Sequence, residues 1–207
     1  MPDFGKRELN KAKTRLNVLN TVYRLTSKSN FKDLKTKSIA EEAGITEMTF
    51  FNYFNKKEDI LRYMMGLWAL DLMVLQHRQP MVGEAAIRRL FMHTAEHVKK
   101  HPRLMANFVA SLLTSDISPE GHAIEAADRF VLYPELPSEL YKAKIPNGNE
   151  ILMQHLDEMY PRTDHSEDLI HLASCFYGDV IVSHTAGLDI DLLYNQSLDL
   201  IFRASNH

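Results

Sequence analysis

The stretch TKSIAEEAGITEMTFFNYF, residues 36–54, decides the fold. Its apolar residues recur every three or four positions in two short runs, which predicts one helix over 37–43 and another over 47–54. Gly44 lies between them, where a left-handed conformation costs least for glycine. Two helices joined by a tight glycine-containing turn are the pattern of a helix-turn-helix. An ordinary helical hairpin is the alternative interpretation of the same spacing.

Capping and core positions favour the helix-turn-helix. Thr36 and Thr46 precede the two helices, and a threonine hydroxyl at a helix start can accept an otherwise unpaired backbone N–H. Ala40 is small, as required where two helices cross closely. The inward-facing apolar residues, in pairs four apart, are Ile39, Ala43, Phe50 and Phe54.

In a helix-turn-helix the second helix enters the DNA major groove, so its side chains outside the core are candidates for DNA contact. Thr49 and Asn52 can hydrogen-bond base edges or phosphates. Met48 and Phe51 can make apolar contacts with a thymine methyl. For Phe51 and Tyr53, packing against a neighbouring helix is the alternative role. The predicted DNA-binding residues are Thr36, Lys37, Glu47, Met48, Thr49, Phe51, Asn52, Tyr53 and Lys57.

The rest of the chain predicts an all-α protein. Its 207 residues include only 8 glycines, and helical spacing recurs without an alternating strand pattern. Pro134, Pro137 and Pro146 mark a loop over 133–148. We expect a small N-terminal domain over 1–55 and a larger helical bundle over 56–207. The predicted helices cover 7–28, 37–43, 47–54, 57–77, 84–100, 102–114, 119–131, 149–159, 166–185 and 191–205.

Charge is unevenly distributed along the chain. Residues 1–60 carry 12 Lys+Arg and 8 Asp+Glu, a balance of +4, whereas the remainder carries 12 and 19, a balance of −7. This distribution favours an anionic partner such as DNA at the N-terminal end, although a chance fluctuation is the alternative. A basic arm before the first helix can lie along phosphates, enter the minor groove or form a solvated face. Its residues are Lys6, Arg7, Lys11, Lys13 and Arg15.

The single cysteine, Cys175, cannot form an internal disulfide, which is typical of a reducing cytoplasm. No run approaches the roughly 20 apolar residues of a membrane-spanning helix. The N-terminal residues lack the apolar segment of a secretory signal. We therefore expect a cytoplasmic protein without membrane contact.

Residues 36–61 resemble the DNA-binding signature of the tetracycline-repressor (TetR) family of transcriptional regulators. Two positions differ from the family pattern: Met48 replaces a glycine, and Phe51 replaces a tyrosine whose hydroxyl commonly contacts the DNA backbone. The matching positions are Thr36, Ile39, Ala40, Ala43, Gly44, Thr49, Phe50, Tyr53, Phe54, Lys57 and Glu58, with conservative matches at Ile45, Thr46, Ile60 and Leu61.

The resemblance implies a three-helix DNA-binding domain over 1–55, followed by a helical ligand-binding and dimerisation domain over 56–207. It implies a homodimeric repressor without a cofactor. Such a repressor binds double-stranded DNA at a pseudo-palindromic operator and is released by a small-molecule effector. Activation instead of repression would look the same in sequence.

Two sets of residues in the larger domain are candidates for these roles. Helix 166–185 is apolar on two faces, as expected of a helix that is buried on two sides. The predicted dimer interface comprises Ile170, Tyr177, Gly178, Ile181, Leu193, Leu200 and Ile201. The predicted ligand pocket comprises Trp68, Phe91, Met92, Phe108, Leu112, Phe130, Tyr133 and Phe176, which implies an apolar or aromatic effector. Plain core is the alternative role for both sets.

No catalytic residue, metal or cofactor is predicted. We find no nucleophile elbow, phosphate-binding loop or zinc-protease motif. His93 and His97 are four apart and can share a metal, but without a nearby cysteine or glutamate pattern a surface pair is the preferred interpretation. The alternatives to a regulator are a small helical enzyme and a ligand-binding scaffold with weak DNA contacts.

Overall fold

The computed structural model describes residues 4–114, 123–161 and 164–204, and within these residues it contains helices and no strand. The all-α prediction is therefore confirmed. The helices are α1 (Lys6–Thr26), α2 (Thr36–Glu42), α3 (Glu47–Phe51), α4 (Asp59–Arg78), α5 (Gly83–Lys100), α6 (Pro102–Thr114), α7 (Ala126–Leu132), α8 (Gly148–Met159), α9 (Ser166–Ala186) and α10 (Ile190–Ala204). Two 3-10 turns, at Phe31–Asp33 and Ser138–Tyr141, were not predicted.

Two helices are shorter than the periodicity predicted. α3 ends at Phe51, although Phe54 still donates its N–H to the Phe50 carbonyl at 3.0 Å. The helix predicted over 119–131 begins at Ala126 among the described residues, and its positions 119–122 lie outside them. Apolar periodicity continues past both true ends, so it does not reveal where the backbone leaves the helix.

The chain divides into two compact units. The first comprises the described residues of 1–70 and 116–145, and the second those of 71–115 and 146–207. α4 has residues in both units, since the division falls after Leu70. The functional division into domains over 1–55 and 56–207 stays a prediction.

The core of the first unit is formed by the apolar side chains on the inward face of α1 and by those of the helix-turn-helix. Ala12, Val18 and Val22 are fully buried, and they follow the spacing of one helical face. α1 packs on α2 and also on α7. The first unit therefore joins N-terminal helices to a segment more than a hundred residues further along the chain.

The proline-rich loop over 133–148 is held in place by hydrogen bonds. Arg129 of α7 donates to the carbonyls of Leu140 and Ala143, both at 2.7 Å. The Tyr141 hydroxyl donates to the Tyr133 carbonyl at 2.8 Å. These bonds fix the loop against the helix that precedes it.

In the second unit, α10 packs on α5 and α9, and α5 also packs on α8. Its centre is aromatic: the Phe91 ring lies 5.3 Å from that of Phe176 and 4.9 Å from that of Tyr194. The buried Tyr194 hydroxyl donates to the Phe176 carbonyl at 3.0 Å, which satisfies its one polar group. No helix in the described part of the chain combines the length and apolar character needed to cross a membrane.

Candidate nucleic-acid interface

The turn between α2 and α3 has the geometry that its glycine predicts. Gly44 has a φ of +69°, in the left-handed region. Its N–H donates to the Glu41 carbonyl at 3.1 Å, and the Ile45 N–H donates to the Ala40 carbonyl at 3.0 Å. This pair of bonds satisfies the last carbonyls of α2 and turns the chain sharply into α3.

The start of α3 is capped as predicted, whereas the start of α2 is not. The Thr46 hydroxyl oxygen accepts the N–H of Thr49 at 3.0 Å. Thr36 is instead the first helical residue of α2, and Lys35 takes the cap position without a side-chain hydrogen bond. The prediction that Thr36 caps α2 is therefore wrong by one residue, because the extended backbone conformation ends at Lys35.

Buried aromatic rings fix the orientation of α3. Phe50 and Phe54 are both buried, with ring centroids 5.5 Å apart, and Phe54 packs against Tyr63 of α4 at 5.9 Å. Ile39 of α2 is buried as well. Since one face of α3 is committed to the core, its remaining side chains point outward.

The outward face of α3 carries the side chains that the sequence predicts to contact DNA. Met48 is 78% exposed and Phe51 is 47% exposed, with the Phe51 ring edge-on to that of Phe50. Glu47 and Asn52 are exposed, whereas Thr49 and Tyr53 are half-buried, as is Thr36 at the start of α2. Exposed apolar side chains, those of Met48 and Phe51, therefore form part of this face.

The two predicted lysines differ in their surroundings. Lys37 is exposed, and its Nζ lies 4.0 Å from a carboxylate oxygen of Glu41. Lys57 donates to three main-chain carbonyls, those of Phe31, Lys32 and Leu34, at 2.8 to 2.9 Å. Burial lowers the pKa of Lys57. Lys57 thus anchors the segment before α2, a role that the sequence did not indicate.

The predicted basic arm is part of α1, and two of its residues pair with acids. Lys11 donates to Glu125 at 2.8 Å. Arg15 is buried, and its guanidinium bonds both oxygens of Asp128 at 3.1 and 2.7 Å. For Arg15 the expectation of a cation that faces phosphates or solvent is wrong, because the N-terminus of α7 supplies carboxylates that the local sequence does not contain. Lys11 stays 40% exposed beside Glu125.

Comparison with known proteins identifies the segment that contains this interface. Residues 19–64 match the family described as bacterial regulatory proteins, tetR family. Residues 19–64 are therefore a DNA-binding segment of the TetR type. Within this segment α2 and α3 form its helix-turn-helix.

Two solved structures share the fold of this chain. One is Thermus thermophilus FadR, a TetR-family transcriptional repressor in complex with lauroyl-CoA, at 19% identity and a TM-score of 0.60 over 91% of this chain and 93% of that one. The other is a TetR transcriptional regulator from Rhodococcus sp. RHA1, at 14% identity and a TM-score of 0.56 over 91% and 96%. No curated protein matches the chain by sequence.

The predicted dimer residues lie on α9 and α10. Ile170 is 63% exposed and Leu200 is 70% exposed, and Ile181 is exposed as well. The half-buried members of the set are Tyr177, Gly178, Leu193 and Ile201. Three further exposed apolar residues, which were not predicted, are Val182, Leu188 and Leu192. The sequence did not reveal this group of exposed apolar residues, because buried and exposed apolar residues alternate along both helices.

The predicted pocket residues are distributed over both units. In the second unit, Phe91, Phe108 and Phe176 are buried, and Phe91 contacts Phe176. Met92 and Leu112 of that unit are half-buried. In the first unit, Trp68 is buried, whereas Phe130 and Tyr133 are half-buried, with the Phe130 ring 5.3 Å from that of Phe4. Their role as a ligand pocket stays a prediction.

Proposed function

We propose that this protein is a homodimeric repressor of the TetR family that binds a pseudo-palindromic operator and is released by a small apolar or aromatic effector. The observation that carries the proposal is the outward face of α3, where Met48 is 78% exposed beside Thr49 and Asn52. A short helix that is held by buried side chains on one face and exposes its other side chains to solvent is suited to bind in the major groove. No catalytic role is proposed for any residue.

The DNA contacts divide into two kinds. Asn52 is suited to base-edge hydrogen bonds and Met48 to the methyl group of thymine, so these two residues would read sequence. Lys37 and Tyr53 are suited to phosphate oxygens, which fix the register of the protein on DNA without reading sequence. The central apolar residues favour an operator with a thymine in each half-site.

The exposed apolar residues of α9 and α10 support a homodimer. Exposed apolar side chains concentrated on neighbouring helices typically mark an interaction surface. If two such helices from each protomer associate about a two-fold axis, they form a four-helix interface. The two α3 helices then read half-sites about 34–36 Å apart, one turn of DNA.

The effector is proposed to act through α4, which runs without interruption from Asp59 to Arg78. A shift of its C-terminal end would move its N-terminal end, where the Tyr63 hydroxyl donates to Asp128 at 2.8 Å. Such a shift in both protomers would change the spacing of the α3 helices. Effector and operator must then weaken each other reciprocally, by about 1–3 kcal/mol in typical allosteric systems.

The effector class follows from the apolar interior of the second unit. Phe91, Phe108 and Phe176 offer aromatic surface without a charged partner among the predicted pocket residues. The FadR structure holds lauroyl-CoA, so an acyl chain is the first apolar class to test. Aromatic compounds are the second class.

The first experiment is capture of genomic DNA fragments by the purified full chain at near-physiological salt, followed by sequencing. We expect one recurring pseudo-palindrome. Fluorescence anisotropy on that site then compares the natural protein with Asn52→Ala and with Asn20→Ala, an exposed residue of α1. We expect Asn52→Ala to weaken operator binding about 10- to 100-fold, and Asn20→Ala to leave it unchanged.

The outcomes separate the alternatives. Captured fragments without a shared sequence, or binding insensitive to salt, would replace the repressor with a ligand-binding scaffold. Once an operator is known, acyl-CoA esters and aromatic acids are titrated against the complex. A saturating ligand that leaves operator affinity unchanged is not the effector, because coupling between the two sites must be reciprocal.

A further inference from the structure

Three side chains in the second unit converge where the sequence suggested only a surface histidine pair. Asp71 lies on α4, and His93 and His97 lie one turn apart on α5. The Nε2 atoms of both histidines are 3.9 Å from the same carboxylate oxygen of Asp71. The ligand atoms of the three residues all lie within 4.8 Å of one another.

We propose that Asp71, His93 and His97 form a binding site for a divalent transition-metal ion with the ligand preferences of Zn²⁺. Two imidazole nitrogens and one carboxylate oxygen are a ligand set that Zn²⁺ accepts, with a fourth position open to water or another ligand. This inference goes beyond the proposed repressor function and does not depend on it.

The distances are close to those that a metal would impose. Metal–ligand bonds of about 2.1 Å in tetrahedral geometry place ligand atoms about 3.4 Å apart. Each Asp71–histidine distance therefore needs to shorten by about half an ångström. Side-chain rotation alone can supply a movement of that size.

The two rings are not hydrogen-bonded to Asp71. A separation of 3.9 Å is too long for a hydrogen bond between Asp71 and either ring. Nε2 of His93 is buried and has no hydrogen-bond partner among the described residues. A cation shared with the Asp71 carboxylate would give this nitrogen the partner that buried polar atoms normally have.

The two rings lie mostly below the protein surface. The side chains of His93 and His97 are 17% and 23% exposed, and that of Asp71 is 26% exposed. Metal binding requires the neutral form of each imidazole, so the affinity of such a site should fall at acid pH. A bound ion would tie α4 to α5 within the second unit.

The test measures Zn²⁺ affinity directly. Untagged full-length protein, stripped with EDTA and dialysed free of it, is titrated with ZnCl₂ in a calorimeter. We expect one ion per chain, with affinity about 100-fold weaker in the double variant His93→Gln/His97→Gln and at least about 10-fold weaker in Asp71→Asn. His77→Gln, an exposed histidine on the same helix as Asp71, is the matched control and should bind as the natural protein does.

Two further measurements keep the inference open to refutation. Co²⁺ in place of Zn²⁺ should give the visible absorption of a four-coordinate N/O site, and this absorption should disappear in the double variant. Circular dichroism without metal checks that each variant folds, and if the double variant is unfolded, Asp71→Asn decides alone. Zn²⁺ binding that Asp71→Asn leaves unchanged would overturn the proposal, as would the absence of binding by the natural protein.

Discussion

Arg15 of α1 and Asp128 of α7 form a buried ion pair with two parallel hydrogen bonds, at 3.1 and 2.7 Å. The Tyr63 hydroxyl adds a third bond to the same carboxylate at 2.8 Å. Burial alone would lower the pKa of Arg15, but the hydrogen bonds and charges of Asp128 and Glu125 outweigh it and raise that pKa. The pair joins three helices of the first unit at one point.

Replacing Asp128 by alanine should destabilise the first unit by about 3 kcal/mol, because the half-exposed Glu125 is then the carboxylate that pairs with the buried guanidinium of Arg15. Trp68 is the only tryptophan and belongs to this unit, so its fluorescence during urea unfolding reports the change. The control, Glu125→Ala, removes the outer carboxylate and should cost less than about 1 kcal/mol. If both variants lost the same free energy of unfolding, burial would not determine the strength of the Arg15–Asp128 pair.

Lys57 and Lys37 should separate stability from DNA binding. Lys57→Met removes the donor to three main-chain carbonyls and should lower the free energy of unfolding by about 1–3 kcal/mol. Lys37→Met should leave stability unchanged but reduce the slope of log affinity against log salt by about 1, because one phosphate contact is lost. Lys56→Met, an exposed neighbour, is the control for both. An unchanged salt slope in Lys37→Met would remove Lys37 from the interface.

Charges placed on the exposed face of α9 and α10 should separate the protomers. The double variant Ile170→Lys/Leu200→Lys should remain helical by circular dichroism, since both side chains are exposed within one chain. It should sediment as a monomer and bind the operator at least about 10-fold more weakly. Val82→Lys changes an equally exposed apolar residue outside these helices and should leave the dimer intact. A dimeric double variant would place the interface elsewhere.

Acid should weaken the protein partly through His93 and His97. The folded-state pKa of both is lowered, to about 4 for His97, so below the unfolded value of about 6.5 the unfolded chain binds more protons. Stability is therefore present above pH 6.5 and declines as the pH falls toward 4. Nearby Lys100 and His101 act in the same direction, whereas Glu96 and the Asp71 carboxylate, 3.9 Å from both Nε2 atoms, oppose it.

The measurement is urea unfolding in EDTA at several pH values between 7 and 4. The variant His93→Gln/His97→Gln should lose less stability than the natural protein over this range, by at most about 2.7 kcal/mol per pH unit, because each ring can contribute about 1.4. His77→Gln should follow the natural protein. Parallel curves for the double variant and the natural protein would mean that neither ring is held neutral by the fold.

The sequence predicted most helices because apolar periodicity is a local property. The turn at Gly44 and the cap at Thr46 were predictable for the same reason, since each depends on residues within one or two turns of helix. The one-residue error at Thr36 reflects the limit of such signals. The extended backbone conformation of Lys35 decides which residue begins α2. Lysine as a residue type does not specify this conformation.

Interactions distant in sequence were not predictable. Nothing near Asp128 marks it as buried, and a helix that begins Ala-Ala-Asp-Arg would ordinarily face solvent. Asp71 gives no sign that it approaches His93, because only tertiary packing brings the two helices together. Asn17, whose amide donates to the Ala43 carbonyl at 2.7 Å and ties α1 to the turn, was missed for the same reason.

The Arg15–Asp128 pair also constrains how the protein is made. The two residues are 113 positions apart, so at about 5–20 residues per second Asp128 is synthesised roughly 6–23 s after Arg15. By the end of that interval α1 to α6 have been synthesised, while one face of α1 is still uncovered. The DNA-binding end is thus translated first, but its unit can be completed only after α5 and α6 of the second unit have been made.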